Sequence, residues 1–255
     1  MKQILFFDID GTLMNNKDHS FSLSTISCLK QLKENGHIVC IATGRGYDSL
    51  IKTNVQNLIE WDAIICNNGQ VIYNQQHDIL FQSLFERKTI EKTLDVAKQL
   101  GFPVVLKSNP RIITQEPDEN VFISQRYFNN TIPPIGEYIG QEVYGMIVYA
   151  PMNYDYQPFF KIPNLNVMPG VVTYADLTMK GVSKKSAIEF LLNYFKKDDY
   201  YAFGDSSNDI EMLKEAKEAI VMGQADQNVK QYATLVTEDI DHDGIEKACR
   251  KLKLI

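Results

Sequence analysis

Asp8 and Asp10 stand two positions apart, directly after the apolar run Ile4-Leu5-Phe6-Phe7 and directly before Gly11-Thr12. Residues i and i+2 of extended backbone point to the same side, so two carboxylates are expected where a buried strand runs into a turn. One of them, Asp8, can attack phosphorus as a nucleophile. The other, Asp10, can protonate a departing alkoxide and later take a proton from water. A second acidic segment, Gly204-Asp205-Ser206-Ser207-Asn208-Asp209, lies almost two hundred residues on. Magnesium favours oxygen ligands and would screen a carboxylate nucleophile from an anionic substrate. Asp205 is the best distant ligand, and Asp209 can brace the site if the turn between them opens a helix.

A phosphate also needs donors. Thr43 offers a hydroxyl, and backbone N–H groups around Ile9 and Gly44 can surround phosphate oxygens. A lysine returning from the later sequence would neutralise charge developed during transfer; Lys184 is preferred and Lys180 is the rival. Asn208 either donates to phosphate or orients the Asp205 loop. Arg45 fits a salt bridge with the following helix as well as it fits substrate contact. Asp176 reads either as a linker residue or as a contact to the leaving group, and Asn67-Asn68-Gly69 as a site-facing turn.

These residues need a scaffold that ends several strands at one place. Ile4 to Phe7, Ile38 to Ala42, Ala63 to Cys66, Tyr200 to Phe203 and Ala219 to Met222 are short apolar runs of the kind buried in parallel sheets. Between them come helical patterns: one capped by Ser24 and ended by Gly36, one from Tyr47 to Ile59, one over 182–195, one starting at Asn208, and a last over 245–252. In an open sheet of this type ligands gather beyond the carboxyl ends of the strands. Val71-Ile72-Tyr73 and Ile79-Leu80-Phe81 suggest a hairpin at the edge.

The middle of the chain has another character. All nine prolines fall between Pro103 and Pro169. A helical stripe, Ile90, Leu94, Ala97 and Leu100, precedes strand-like stretches at 102–106, 111–114, 144–149 and 171–174. The expected fold is therefore α/β: a doubly wound, mostly parallel Rossmann-like core with an inserted α+β cap domain. Its boundaries are a discontinuous core of 1–81 and 181–255, and an insertion of 82–180.

Composition narrows the function class. The chain has 255 residues, a formal net charge of -6 and 44% hydrophobic residues. That size suits a core domain with a smaller companion. The charge disfavours a nucleic-acid partner, no run is long enough to cross a membrane, and the short N-terminal apolar run does not read as a signal sequence. Cys28, Cys40, Cys66 and Cys249 lack metal-like spacing and read as buried thiols, which fits a cytoplasmic protein. The four histidines form no ligand pattern, and no P-loop signature argues for ATP or GTP hydrolysis.

Taken in order, DIDGTL at 8–13, TGR at 43–45, NNG at 67–69, KGVSK at 180–184 and GDSSND at 204–209 resemble the haloacid-dehalogenase-like (HAD) phosphatase superfamily. The resemblance is to its Cof-type members with the larger C2B-type cap, and covers essentially the whole chain. It implies a magnesium-dependent phosphatase that hydrolyses a small phosphorylated metabolite, often a sugar phosphate, through a phosphoaspartate. Asp8 would be nucleophile and metal ligand, Asp10 the acid/base with its backbone carbonyl on the metal, and Asp205 a further ligand. Thr43, Lys184 and Asn208 match the phosphate-binding hydroxyl, lysine and asparagine. Lys185 departs from the glycine that often follows the motif lysine. The alternatives are a sugar phosphomutase on the same core, or a phosphate-ligand sensor without turnover. The sequence is compatible with a monomer or a homodimer.

Overall fold

A computed structural model describes residues 2–255, and the counts below refer to them. Contacts divide the chain into two compact units: the residues up to Leu80 together with Ser183–Ile255, and Phe81–Val182.

In chain order the strands are β1 (Ile4–Phe7), β2 (Ile38–Ala42), β3 (Ala63–Cys66), β4 (Val71–Asn74), β5 (Ile79–Gln82), β6 (Val104–Leu106), β7 (Ile112–Ile113), β8 (Met146–Tyr149), β9 (Leu165–Pro169), β10 (Tyr174–Met179), β11 (Tyr201–Gly204), β12 (Glu218–Val221) and β13 (Leu235–Val236). Eight form one sheet in the order β13-β12-β11-β1-β2-β3-β4-β5. From β13 through β3 the neighbours pair in parallel, and β4 turns back antiparallel on β3. Every residue of β1, β3 and β11 is buried, as unbroken apolar runs require when both faces are covered. Phe6, Cys40, Ile65, Ala202 and Val221 pack against Ile188 and Leu191 of the helix Lys184–Phe195.

The helices follow the sequence with local differences. The first runs Leu23–Glu34 and is capped by Ser22 rather than Ser24: the Ser22 hydroxyl accepts from the Thr25 N–H at 3.1 Å. The helix expected over 47–59 stops at Thr53 because Asn54 adopts a left-handed conformation, φ 60°, and a short 3-10 turn, Val55–Asn57, follows. Ser207–Asp209 is likewise a 3-10 turn that leads into the helix Ile210–Glu215. All four cysteines are free and buried.

The second unit carries a five-stranded sheet, β7-β6-β8-β10-β9, paired antiparallel throughout. Val104, Met146, Val148, Ala175 and Leu177 face one apolar cluster with Ile90 and Ala97 of the helix Arg87–Leu100. Three elements here escaped the sequence reading: β9, the helix Glu119–Tyr127, capped by Asp118, and the short helix Gln157–Phe160. The strand expected over 171–174 instead starts at Tyr174 and continues to Met179. Among the described residues no helix is long and apolar enough to cross a membrane.

Candidate active site

Three parallel strands end side by side. β1 stops at Phe7 and releases Asp8, β11 stops at Gly204 and releases Asp205, and β2 stops at Ala42 and releases Thr43. From β1 the chain first builds the sheet toward β3 and later, from β11, toward β13. The β1–β11 boundary is thus the topological switch point, where open α/β sheets form ligand crevices.

Lys184 reaches this point from the first position of its helix. Ser183 caps that helix in a capping box with Ser186. The turn after β3 seats the cap: Gly69 has φ +102°, and a Cβ there would lie 2.2 Å from the Ser183 carbonyl oxygen. The Lys184 ammonium donates to Asp8 Oδ1 at 2.6 Å and to Asp209 Oδ1 at 2.7 Å, with no exposed side-chain surface. A buried ammonium persists only when paired, and here two carboxylates pair it. Burial works against the Lys184 charge, but Asp209 and Asp8 outweigh it and hold the group above its ordinary range. Lys180, the rival, is exposed and lies in the second unit.

Asp209 is a brace. Its second oxygen accepts from the backbone N–H groups of Asp205 and Ser206, each at 3.1 Å. Gly204 makes room for it, since a Cβ there would stand 2.7 Å from Asp209 Cγ. Both Asp209 oxygens are therefore engaged.

Burial pushes the Asp8 carboxyl up to about 7; Lys184 opposes this, while Asp209 and Asp10 reinforce it. Asp205 is pushed well above the usual carboxylate range, first by burial and then by Asp209 and Asp8. Asp8, Asp205 and Asp209 bring carboxylate oxygens within 4.8 Å of one another. Asp205 Oδ1 is buried and takes no hydrogen bond. An all-carboxylate donor set with an unsatisfied buried oxygen fits a hard divalent cation. Because Asp209 is already committed, Asp8 and Asp205 are the side chains available to hold it. Gly11, at φ +79°, lets Asp205 come this close to the β1 turn: a Cβ there would meet Asp205 Oδ2 at 2.2 Å.

Asp10 faces Arg45. The guanidinium donates from Nη2 to Oδ1 at 2.7 Å and from Nε to Oδ2 at 2.8 Å, and Nη1 donates to Ser49 Oγ at 3.1 Å. This two-point pairing spans 35 positions of sequence, and the sequence reading did not connect the two residues. Thr43 is fully buried, and its Oγ1 accepts from the Arg45 N–H at 3.1 Å, which leaves the hydroxyl hydrogen to donate elsewhere. Asn208 donates to Asn68 Oδ1 at 3.1 Å and accepts from Ser206 Oγ at 2.6 Å, so it ties the Asp205 loop to the turn after β3. Gly44 sits against the same Asn68 amide, 3.1 Å from where its Cβ would be. Ile9 is buried, and its carbonyl accepts from the N–H groups of Thr12 and Met14, which closes the turn.

Two more residues adjoin this group: Thr12, which lies inside the DIDGTL motif but was given no role, and Gln224, which carries no sequence signal. Thr12 has a buried hydroxyl that takes no hydrogen bond. Gln224 donates to the Gly11 carbonyl and accepts from the Ile240 N–H at 3.1 Å. Asp176 lies in the second unit, on β10, where Lys107 donates to it at 3.1 Å.

Residues 5–249 match the haloacid dehalogenase-like hydrolase family. The chain is 26% identical to YkrA of Bacillus subtilis strain 168, named provisionally as a phosphatase, over 99% of this chain and 98% of that one. It is 25% identical to the 5-amino-6-(5-phospho-D-ribitylamino)uracil phosphatase YitU of the same organism, over 96% and 95%. Among solved structures, the HAD subclass IIB sugar phosphatase BT4131 is similar with a TM-score of 0.89 and 28% identity, over 100% of both chains.

Proposed function

Because the chain belongs to the haloacid dehalogenase-like hydrolase family, we propose that it hydrolyses a small-molecule phosphate monoester, a sugar phosphate being the leading class, with Mg2+ and through a phosphoaspartate on Asp8. The observation that carries this reading is the Lys184 ammonium held on Asp8 Oδ1 beside the unpartnered, buried Asp205 Oδ1. A carboxylate at a strand end, oriented by a buried cation, is a positioned nucleophile rather than a solvated acid. The names of the phosphatase relatives point the same way.

Asp8 attacks phosphorus with the oxygen that Lys184 leaves open. The P–O ester bond breaks, and the departing alkoxide takes a proton from Asp10. Water then attacks the phosphoaspartate, Asp10 takes its proton, and inorganic phosphate leaves with Asp8 restored. Thr43, Asn208 and the N–H groups of Ile9 and Gly44 bind the phosphoryl oxygens, and Lys184 neutralises charge on them. Asp8, the Asp10 carbonyl and Asp205 would hold Mg2+, which supplies charge screening between the carboxylate and the phosphate when bound. Asp209 keeps Lys184 and the Asp205 loop in place.

The test is a panel of sugar phosphates with para-nitrophenyl phosphate as a general substrate. Turnover is expected with Mg2+, to fall at least about a hundredfold after chelation, and to return on re-addition. Inorganic phosphate should match substrate consumed; isomer formation without it would instead indicate a mutase. Undiminished turnover in chelator-treated protein would sink the proposal.

Arg45 has a definite part in this scheme. For Asp10 to pass a proton to a leaving oxygen, one of its two bonds to the guanidinium has to open, while the other can go on orienting the carboxyl. Arg45 is therefore a positioning residue that aims Asp10. Arg45→Ala is expected to lower kcat/KM about ten- to a hundredfold, the cost of misaligning a group by about an ångström. Its signature is a loss that shrinks for substrates with good leaving groups, which need less proton donation. An equal loss for aryl and alkyl phosphates would argue against the assignment.

A further inference from the structure

The turn after β3 holds two successive asparagines in left-handed backbone, Asn67 at φ 52° and Asn68 at φ 53°. Most residues avoid this form, and asparagine tolerates it best among those with a side chain. The Asn67 and Asn68 N–H groups donate to the Arg45 and Thr43 carbonyls at 2.9 and 3.0 Å, which pins the turn to the segment after β2. Asn68 is only 2% exposed. Its amide lies against Gly44, with nitrogen and oxygen each 3.1 Å from where a Cβ would stand. Strained backbone under a buried polar side chain persists where the surrounding structure makes use of it.

That use is visible in what Asn68 touches. Its Oδ1 accepts from Asn208 Nδ2 at 3.1 Å, across 140 positions of sequence. Ser206 takes the other end of the Asn208 amide, its hydroxyl donating to Oδ1 at 2.6 Å. An asparagine amide has two ends of nearly equal size, a carbonyl that accepts and an NH2 that donates twice. Unrestrained, Asn208 could turn either end toward an anion. Asn68 Oδ1 can only accept, so it requires the NH2 end, and the Ser206 hydroxyl supplies a hydrogen to the carbonyl end. The two contacts fix one orientation and leave one N–H of Nδ2 to be donated.

We propose that Asn68 and Ser206 are positioning residues that key the Asn208 amide, so that a phosphoryl oxygen meets its N–H and never its carbonyl. Neither residue touches the phosphoryl group itself. Turned over, Asn208 would set a carbonyl oxygen against phosphate, exchanging a charge-assisted hydrogen bond for repulsion. The inference rests on the phosphate site of the phosphatase reading, not on turnover.

The probe is inorganic phosphate, titrated calorimetrically into the intact protein with Mg2+ present. Asn68→Gly keeps the left-handed backbone and its bond to Thr43 but removes the amide. It is expected to weaken phosphate binding about tenfold. Ser206→Ala releases the other end of Asn208 and is expected to weaken binding about three- to tenfold. Because both act through Asn208, each loss should shrink to about twofold or less in an Asn208→Ala background. A merely structural lesion would instead multiply with Asn208→Ala. The proposal is overturned if both variants bind phosphate within about twofold of wild type, or if their losses persist undiminished beside Asn208→Ala. Where Asn68→Gly does not fold, the Ser206→Ala cycle decides alone. Phosphate binding without turnover of any ester would count against the phosphatase reading and leave the proposal standing, whereas a wild-type protein that binds no phosphate would end both.

Discussion

Asp8→Asn is expected to lower kcat by about 10⁴-fold or more, the scale on which removal of a covalent nucleophile acts. The amide has the size of the carboxylate and can still accept from Lys184, which also keeps its 2.7 Å partner Asp209. The variant should therefore fold, and its lost turnover reports chemistry. Its stability carries a second signature. With no divalent cation, the Asp8 carboxyl lies near 7 in the folded protein, against an ordinary value of 3.8. A folded-state pKa raised above the unfolded one contributes stability that is full below about pH 4 and is lost as pH climbs through 7. Wild-type protein in chelator should lose that contribution across this window in urea titrations, and Asp8→Asn should show a flatter profile. Retained turnover in the variant, or identical pH profiles, would contradict the role and the environment assigned to Asp8 respectively.

Lys184→Met should be costly in both activity and stability. Methionine nearly matches the volume of lysine but leaves two buried carboxylates, Asp8 and Asp209, without their shared cation. Breaking a buried pair from one side costs about 3–5 kcal/mol, and loss of the charge opposite a transferring phosphoryl group costs about 10²–10³ in kcat. Two controls separate the effects. Adding Asp209→Asn to Lys184→Met removes one orphaned charge and should recover part of the stability while leaving kcat low. Lowering pH from 7 to 5 should narrow the stability gap, because protonated Asp8 no longer needs the ammonium. A variant as stable as wild type at pH 7 would show that Lys184 does not carry the buried charge balance.

Much of the core could be read from the chain because a parallel strand buried on both faces is a short apolar run that ends abruptly at a polar residue. Asp8, Thr43 and Asp205 each follow such a run, and the strands before them lie where that pattern puts them. Pairings across long separations left no such trace. Arg45 and Asp10 are 35 positions apart, and Lys107 and Asp176 are 69 apart; nothing local to either member announces the other. Local competition hid other features. Ser22 and Ser24 are both good caps, and the choice of Ser22 follows from its contact with Thr25. Asn54 can continue a helix or leave it by a left-handed turn, and only its surroundings decide. Pro163 precedes β9 and Pro169 is its last residue, so propensity argued against a strand that pairing with β10 nonetheless forms.

The contact between Gly69 and the Ser183 carbonyl has a consequence for how this protein tolerates change. Position 69 has no functional group to lend to any reaction, yet the first turn of the Lys184 helix rests directly on it. A single methyl there would have to displace that turn, and with it the lysine's reach toward Asp8. Gly69→Ala should thus behave in an activity screen like a lesion in the chemistry, while crystallography of the variant would show every reacting side chain intact and one of them set aside from its target.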